Sequence, residues 1–372
     1  VALGLLAYDI AGADAGAVLG TAMAIKMIAY IGVAPIVGAY ANRLPRRAFL
    51  IAMDVIRCLV ALALPFVDQV WQIYILIFVL QSASAGFTPT FQATIPDVLP
   101  EEKDYTRALS LSRLAYDMES LTSPMLAAAL LTVMNFHWLF SGTAIGFACS
   151  ALLVLTTTLP RSSAHNSGGG IYDNTTRGAR LYLKTPRLRG LLAVTLAAAA
   201  ASAMVIVNTP VLVQAALGLG QREVAITLAA FGGGSMLAAL LLPRLLERLS
   251  DRKVMLSAAS VMTVALAVLA LTWRGHASPG YWGVILAGWL VLGIAYSASI
   301  TPGGRLLRRS SAEEDRPALF AAQFALSHVC WLIAYPLAGQ VGALEGMGIA
   351  FGATAALALI GIFAMRWNVV IG

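Results

Sequence analysis

The sequence predicts an all-α membrane protein built as two six-helix bundles, and three observations predict it. Apolar runs of about 18 to 25 residues recur from one end to the other, the length a helix needs to cross a ~30 Å hydrocarbon core. Charged residues make up 12% of the chain, hydrophobic residues make up 59%, and the mean hydropathy is +0.80. An average soluble domain carries about 25% charged residues, so water is not the main solvent here. A single polar stretch, Arg161 to Arg189, holding Ser167 and Gly168 to Gly170, divides the apolar runs into equal sets.

The elements follow from apolar runs read against charged or Pro/Gly-rich breaks. Val1 to Tyr8 is apolar but too short to span, and no charged leader or cleavage site accompanies it. Residues 1–9 therefore read as the outer end of a helix that begins upstream, not as a signal peptide. Spans follow near 17–40, which stops before Arg43; 48–67, between Arg47 and Asp68; 71–93, before Pro96-Asp97; 107–133, after Glu101-Glu102-Lys103; and 137–159, before Pro160-Arg161. The second set lies near 188–214, which stops before Gly218; 221–243, before Arg244; 254–273, between Lys253 and Arg274; 281–303, after Pro279-Gly280; 317–341, after Arg316; and 346–366, from Gly346 to Arg366. This gives an N-terminal bundle over residues 1–160, a linker over 161–187 and a C-terminal bundle over 188–372.

Assigned alternately to the two sides of a bilayer, the loops hold 19 Lys and Arg on one side and only Arg222 and Arg274 on the other. Cytoplasmic loops carry the excess of positive charge, so the rich side is expected to be cytoplasmic, with both termini facing inward. The same asymmetry accounts for the net charge of +7 without nucleic acid, since no basic patch interleaved with aromatics lies on a polar domain. Cys58, Cys149 and Cys330 all fall inside apolar runs, where cysteine serves as a small hydrophobic residue.

The halves repeat. Thr88-Pro89 recurs as Thr301-Pro302, Glu101-Glu102 as Glu313-Glu314 and Pro124 as Pro336, at offsets of 212 or 213 residues. Arg43 with Arg46-Arg47 has a looser counterpart in Arg248 with Arg252-Lys253. A parallel repeat of six helices about a pseudo-two-fold axis along the membrane normal is the build of a secondary transporter whose site lies between its halves.

After the second span the chain reads Gly38-Ala-Tyr-Ala-Asn42-Arg43-Leu-Pro45-Arg46-Arg47. This loop resembles the signature of the major facilitator superfamily: Gly, three residues, Asp, Arg, one residue, Gly, Arg, then Arg or Lys. Asn42 stands where the family has Asp and Pro45 where it has Gly. The run from Phe87 through Pro89 and Pro96-Asp97 to Arg107-Ala108, with Asp54 and Arg57 in the third span, is similar to the drug and macrolide efflux branch. A looser similarity points to nickel-resistance exporters of the same superfamily. The resemblance covers essentially the whole chain. It implies a transporter with no enzymatic activity and no cofactor, working on a small-molecule substrate in a bacterial inner (plasma) membrane, with a monomer as the expected assembly. It also implies that Gly38, Asn42, Arg43, Arg46 and Arg47 form a cytoplasmic latch, with the charge of the family's acid missing at Asn42. Ser123-Pro124 stands where antiporter members have Gly-Pro.

A charge near the bilayer centre costs about 2.5–3.5 kcal/mol, so an ionisable residue deep in a span is a site candidate. Lys26, Arg113, Asp117, Glu119 and His328 meet that description. Arg113 and Asp117 are four apart and can pair on one face, while Ser112, Tyr116, Glu119 and Ser123 form a neighbouring stripe. The plainer reading is a self-neutralising pair that holds helices together. The functional one makes Asp117 or Glu119 a proton-coupling carboxylate. Lys26 is then a counter-ion or an anchor for an acidic substrate, unless it snorkels towards an interface. His328 is a packing residue or a ligand, but His328 and Cys330 point about 200° apart on a helix, and no metal-ligand cluster is apparent. Asp54 and Arg57 lie nearer the inner end of their span, a depth that suits a gate.

The expected function is proton-coupled efflux of small amphipathic compounds or drugs by an antiporter, conferring drug resistance. The competing transport reading is export of a divalent metal ion of the nickel or cobalt type, or of a small anion. A membrane scaffold or receptor is the alternative of another class. No HExxH, phosphate loop or serine–histidine pair at mid-depth supports an enzyme.

Overall fold

The computed structural model describes residues 2–11, 15–40, 44–157, 159, 171–273 and 279–370. Among these the regular structure is helical, without a strand. In chain order the helices are α1 (Ala2–Ala11), α2 (Ala15–Tyr40), α3 (Arg46–Ala63), α4 (Val70–Val98), α5 (Glu102–Leu131), α6 (His137–Thr156), α7 (Ile171–Lys184), α8 (Pro186–Pro210), α9 (Gln221–Arg248), α10 (Asp251–Thr272), α11 (Trp282–Ile300), α12 (Gly303–Arg309), α13 (Arg316–Leu344) and α14 (Met347–Val370). Nine stretches among the described residues are long and apolar enough to cross a membrane, and Thr21–Val37 within α2 is a shorter apolar helix. With no water in a bilayer core, a helix satisfies every backbone group internally, which is why hydropathy alone locates these elements. The 30-residue α5 is long enough to span but is kept out of that set by its own charges, among them Arg113, Asp117 and Glu119.

Two differences from the sequence reading have physical causes. Helices run past the apolar runs, as in α4 through Pro96 to Val98 and α9 through Pro243 to Arg248, because a polar residue or a single proline ends an apolar run without ending the backbone hydrogen bonding of the helix. The linker also contains a helix, α7, that the polar composition of the stretch hides. Within it, Tyr182 is buried and its hydroxyl bonds Gln323 of α13, while Gly178 lies so close to α13 that a Cβ there would sit 2.4 Å from the Ala318 carbonyl.

The chain divides into two compact units. One comprises Val1–Pro100, Thr122–Tyr182 and Ser311–His328; the other comprises Glu101–Leu121, Leu183–Ser310 and Val329–Gly372. In the first, α2 packs on α4, and α3 lies against α4 and α6 around Leu6, Val60, Ile73, Ile77 and Phe140. In the second, α8 is the enclosed helix, packed on α14 and α11, with Ala197 to Ala201 wholly buried beside Met204, Trp289 and Phe351.

Helix association in lipid relies on close packing, because burial from water contributes little there. Small residues provide it. A Cβ on Gly234 of α9 would lie 2.2 Å from the Leu290 carbonyl of α11, and one on Gly293 of α11 would lie 2.0 Å from the Phe231 carbonyl of α9. This reciprocal contact brings α9 and α11 together where the Phe231 and Tyr296 rings meet at 5.5 Å, one turn from Ser235.

Candidate functional site

In the second unit, α5 presents a polar face inward. Thr106, Ser110, Arg113 and Asp117 recur at spacings of four, three and four, which places them on one side of the helix. Thr106, Ser110 and Asp117 are buried and Arg113 is partly so. The Arg113 guanidinium grips Asp117 with two bonds, Nη2 to Oδ1 at 2.6 Å and Nε to Oδ2 at 3.2 Å. The Ser235 hydroxyl donates to Asp117 Oδ2 at 2.5 Å and accepts from Arg113 Nε at 3.2 Å. Tyr296 closes the group, its ring 4.7 Å from the guanidinium carbon. A bidentate arginine–carboxylate pair is the strongest form of ion pair in a poorly solvated place. Near the middle of α5 it neutralises two charges whose separate burial would be costly.

The stripe of Ser112, Tyr116, Glu119 and Ser123 turns the other way and is exposed throughout. The sequence therefore placed two carboxylates two residues apart, and the fold gives them opposite surroundings. Asp117 is enclosed and tied, whereas Glu119 stands on an open face.

In the first unit, Lys26 lies mid-way along α2 with its ammonium 5.4 Å from the centre of the Tyr30 ring. Tyr30 meets Phe324 at 4.9 Å and His328 at 4.6 Å, ring centre to ring centre. His328 Nδ1 is 2.7 Å from the Phe324 carbonyl oxygen. A carbonyl only accepts, so Nδ1 carries the proton of that bond and Nε2 faces away from it. Cys330 is packed in the second unit against Ala199, Ala203, Ala334 and Ala338. Among the described residues no three His, Cys, Asp or Glu side chains come together as a metal would require.

Of the expected latch residues, Asn42 and Arg43 lie outside the described residues, as does the immediate environment of Gly38. Arg47 is exposed. Arg46 is buried at the start of α3 and pairs with Asp97 near the end of α4, and the same carboxylate takes Arg316 at the start of α13. Asp54 is wholly buried, pairs with Arg57, and its second oxygen has no hydrogen-bond donor among the described residues. The Arg57 guanidinium lies over Phe87 at 4.0 Å and Phe147 at 4.6 Å, so the pair is walled by rings.

A comparable network in the second unit went unnoticed in the sequence. Glu102 of α5 accepts from Arg305 and Arg309; Asp251 at the start of α10 meets Arg309 at 2.8 Å and Arg305 at 3.2 Å; Arg305 also donates to Thr106 at 3.1 Å. Lys103 and Glu247 add an exposed pair at 3.5 Å. The available signal was that the carboxylates Asp97, Glu102 and Asp251 fall in loops that the alternation of spans assigns to the same side as the arginine-rich ones. Ser235 and Tyr296 had no such signal, since one hydroxyl in an apolar helix looks like any other.

The family model described as Major Facilitator Superfamily matches residues 2–220 and again 191–370. An uncharacterized MFS-type transporter, YfiS of Bacillus subtilis (strain 168), is 26% identical over 129 residues, 35% of this chain and 30% of that protein. Macrolide efflux protein A of Enterococcus faecalis is 25% identical over 153 residues, 38% of this chain and 47% of that protein. The matched stretches thus span less than half the length of these relatives. Among solved structures, the human organic anion transporter MFSD10 (TETRAN) superposes with a TM-score of 0.78 at 14% identity, covering 94% of this chain and 83% of that one.

Proposed function

Because the chain belongs to the major facilitator superfamily, we propose that it is a proton-coupled secondary transporter that exports small amphipathic compounds by alternating access between two six-helix halves. The observation that carries this reading is the constellation on α5: a carboxylate tied to arginine on one face and a second carboxylate on an open polar stripe, both near mid-depth. An open stripe of Ser112, Tyr116, Glu119 and Ser123 suits a water-filled cavity and would be costly against lipid. Protons and substrate reach Glu119 through that cavity, and Asp117 exchanges its hold on Arg113 for a proton when the halves rearrange. Similarity to macrolide efflux proteins favours export over uptake.

The arginine–carboxylate groups around Asp97 and around Glu102 and Asp251 serve as the cytoplasmic gate in this reading. Each joins residues far apart in sequence, so opening towards the cytoplasm requires these pairs to part. The protein acts as a monomer in a bacterial inner membrane with both termini cytoplasmic, consistent with the excess of basic loops on one side.

The test is transport by the purified chain in proteoliposomes with an imposed proton gradient, using a panel of macrolides, other amphipathic drugs and divalent metal salts. Substrate-stimulated proton flux that disappears in Asp117→Asn and Glu119→Gln is the expected result. Undiminished flux in both variants would refute the assignment, and flux stimulated by metal salts alone would replace drug export with metal export.

A further inference from the structure

The mid-helix cations are not equally compensated. Arg57 has Asp54, and Arg113 has Asp117. Lys26 has the face of Tyr30 and, among the described residues, no carboxylate within ion-pair distance. A cation near the bilayer centre costs about 2.5–3.5 kcal/mol, and a cation–π contact returns about 0.5–2 kcal/mol of it. Snorkelling does not supply the rest. Lys26 lies 11 residues from the start of α2 and 14 from its end, roughly 16 Å and 21 Å of helix at 1.5 Å per residue, while a lysine side chain reaches only about 6 Å.

Its surroundings are those of a receptor for an anion with a ring. Lys26, Tyr30, Phe324 and His328 are all half-buried, neither sealed in a core nor fully open. The three rings lie within 4.4 to 4.9 Å of one another at steep angles, leaving edges and faces that a planar group can meet. His328 has committed Nδ1 to the Phe324 carbonyl, so Nε2 is the nitrogen left for a ligand. Arg57 of α3, by contrast, is already paired with Asp54.

We propose that Lys26, with Tyr30, Phe324 and His328, docks the acidic end of an aromatic organic anion, so the compounds carried include aromatic carboxylates and sulfonates. This rests on the transporter reading for its role in export, but the docking itself does not need a gradient. Bound carboxylate or sulfonate oxygens replace the Tyr30 face as the partner of the Lys26 ammonium and accept from His328 when Nε2 is protonated. The attached ring stacks on the aromatic cluster.

Equilibrium binding to the purified chain in phosphatidylcholine nanodiscs tests this without transport, using 1-naphthoate, 1-naphthalenesulfonate and uncharged 1-naphthamide. The acids are expected to bind saturably and at least tenfold more tightly than the amide. Lys26→Gln should bring the acids to the level of the amide, and Lys26→Arg should keep the preference. Unchanged amide binding in Lys26→Gln shows that the variant is folded; Phe324→Ala should weaken acids and amide together. Equal binding of acids and amide by the unaltered chain, no acid binding at all, or an acid preference that survives Lys26→Gln would overturn the proposal. If acids bind as described while proton-driven export of every compound fails, the docking site stands and the transport reading falls.

Discussion

Replacing Asp117 with asparagine removes the charge that offsets Arg113 in a part of the chain where neither is well solvated. Asp117 accepts hydrogen bonds from Arg113 Nη2 at 2.6 Å, Arg113 Nε at 3.2 Å and Ser235 Oγ at 2.5 Å. Bonds to a charged partner contribute about 1.5–3 kcal/mol each. Asparagine keeps one acceptor oxygen but turns an NH₂ group towards a donor, so Asp117→Asn should cost about 3–5 kcal/mol, the range for a buried pair that loses one member. Removing both charges in Arg113→Met/Asp117→Leu leaves no orphan and should recover most of that loss. The assay is unfolding of the purified chain by sodium dodecyl sulfate in mixed micelles, followed by tryptophan fluorescence and evaluated as a double-mutant cycle whose single variants are Arg113→Met and Asp117→Leu. A coupling energy above about 2 kcal/mol is expected, larger than the ~0.5 kcal/mol error of additivity for independent sites. A loss under about 0.5 kcal/mol for Asp117→Asn, or a double variant as damaged as the single one, would refute the account of the pair as mutually compensating charges.

Other expectations follow from the same geometry. Glu119→Gln, on the open face of α5, should leave stability within about 0.5 kcal/mol by the same unfolding assay while proton-driven transport is lost. A Gly234→Ala substitution sets a methyl group against the Leu290 carbonyl; it should cost about 1–3 kcal/mol by overpacking, read as a lower melting temperature in detergent. Thr209→Val leaves the buried Trp289 indole N–H, now bonded to Thr209 at 2.8 Å, without an acceptor and should cost about 1–3 kcal/mol in the same melt. Asp97→Asn frees Arg46 and Arg316 together, so a Thr94→Cys reporter, placed at a buried position on the same helix, should react severalfold faster with a membrane-impermeant maleimide in a background lacking the native cysteines.

Most of the fold was legible because lipid restricts the menu. A run of apolar residues between charged breaks has one spanning conformation available to it, so α3, α4, α6, α8 to α11, α13 and α14 lie close to where the sequence put them. Helix α7 was missed because it faces a partner helix through Gly178 and Tyr182, with too few apolar residues to stand out in a polar linker. The site was legible by half. Arg113 and Asp117 share a helix, and a spacing of four makes the pair readable from sequence. Ser235 and Tyr296 come from helices more than a hundred residues on, brought there by the glycine contact between α9 and α11, and no local pattern records such a meeting. The basic loops were read as a signal of sidedness. Arg46, Arg305, Arg309 and Arg316 are also partners of the carboxylates Asp97, Glu102 and Asp251.

The double grip of Asp97 has a bearing on biogenesis. Arg46 lies 51 residues before it and Arg316 lies 219 residues after it. A chain emerging from the ribosome can make the first pair as soon as α4 is inserted, at which point Asp97 still has an unused oxygen. The second pair must wait until the six spans α5, α6 and α8 to α11 have been threaded and α13 has begun to emerge. Until then the Asp97 carboxylate holds one of its two arginines, so this joint between α3, α4 and α13 is completed only late in synthesis.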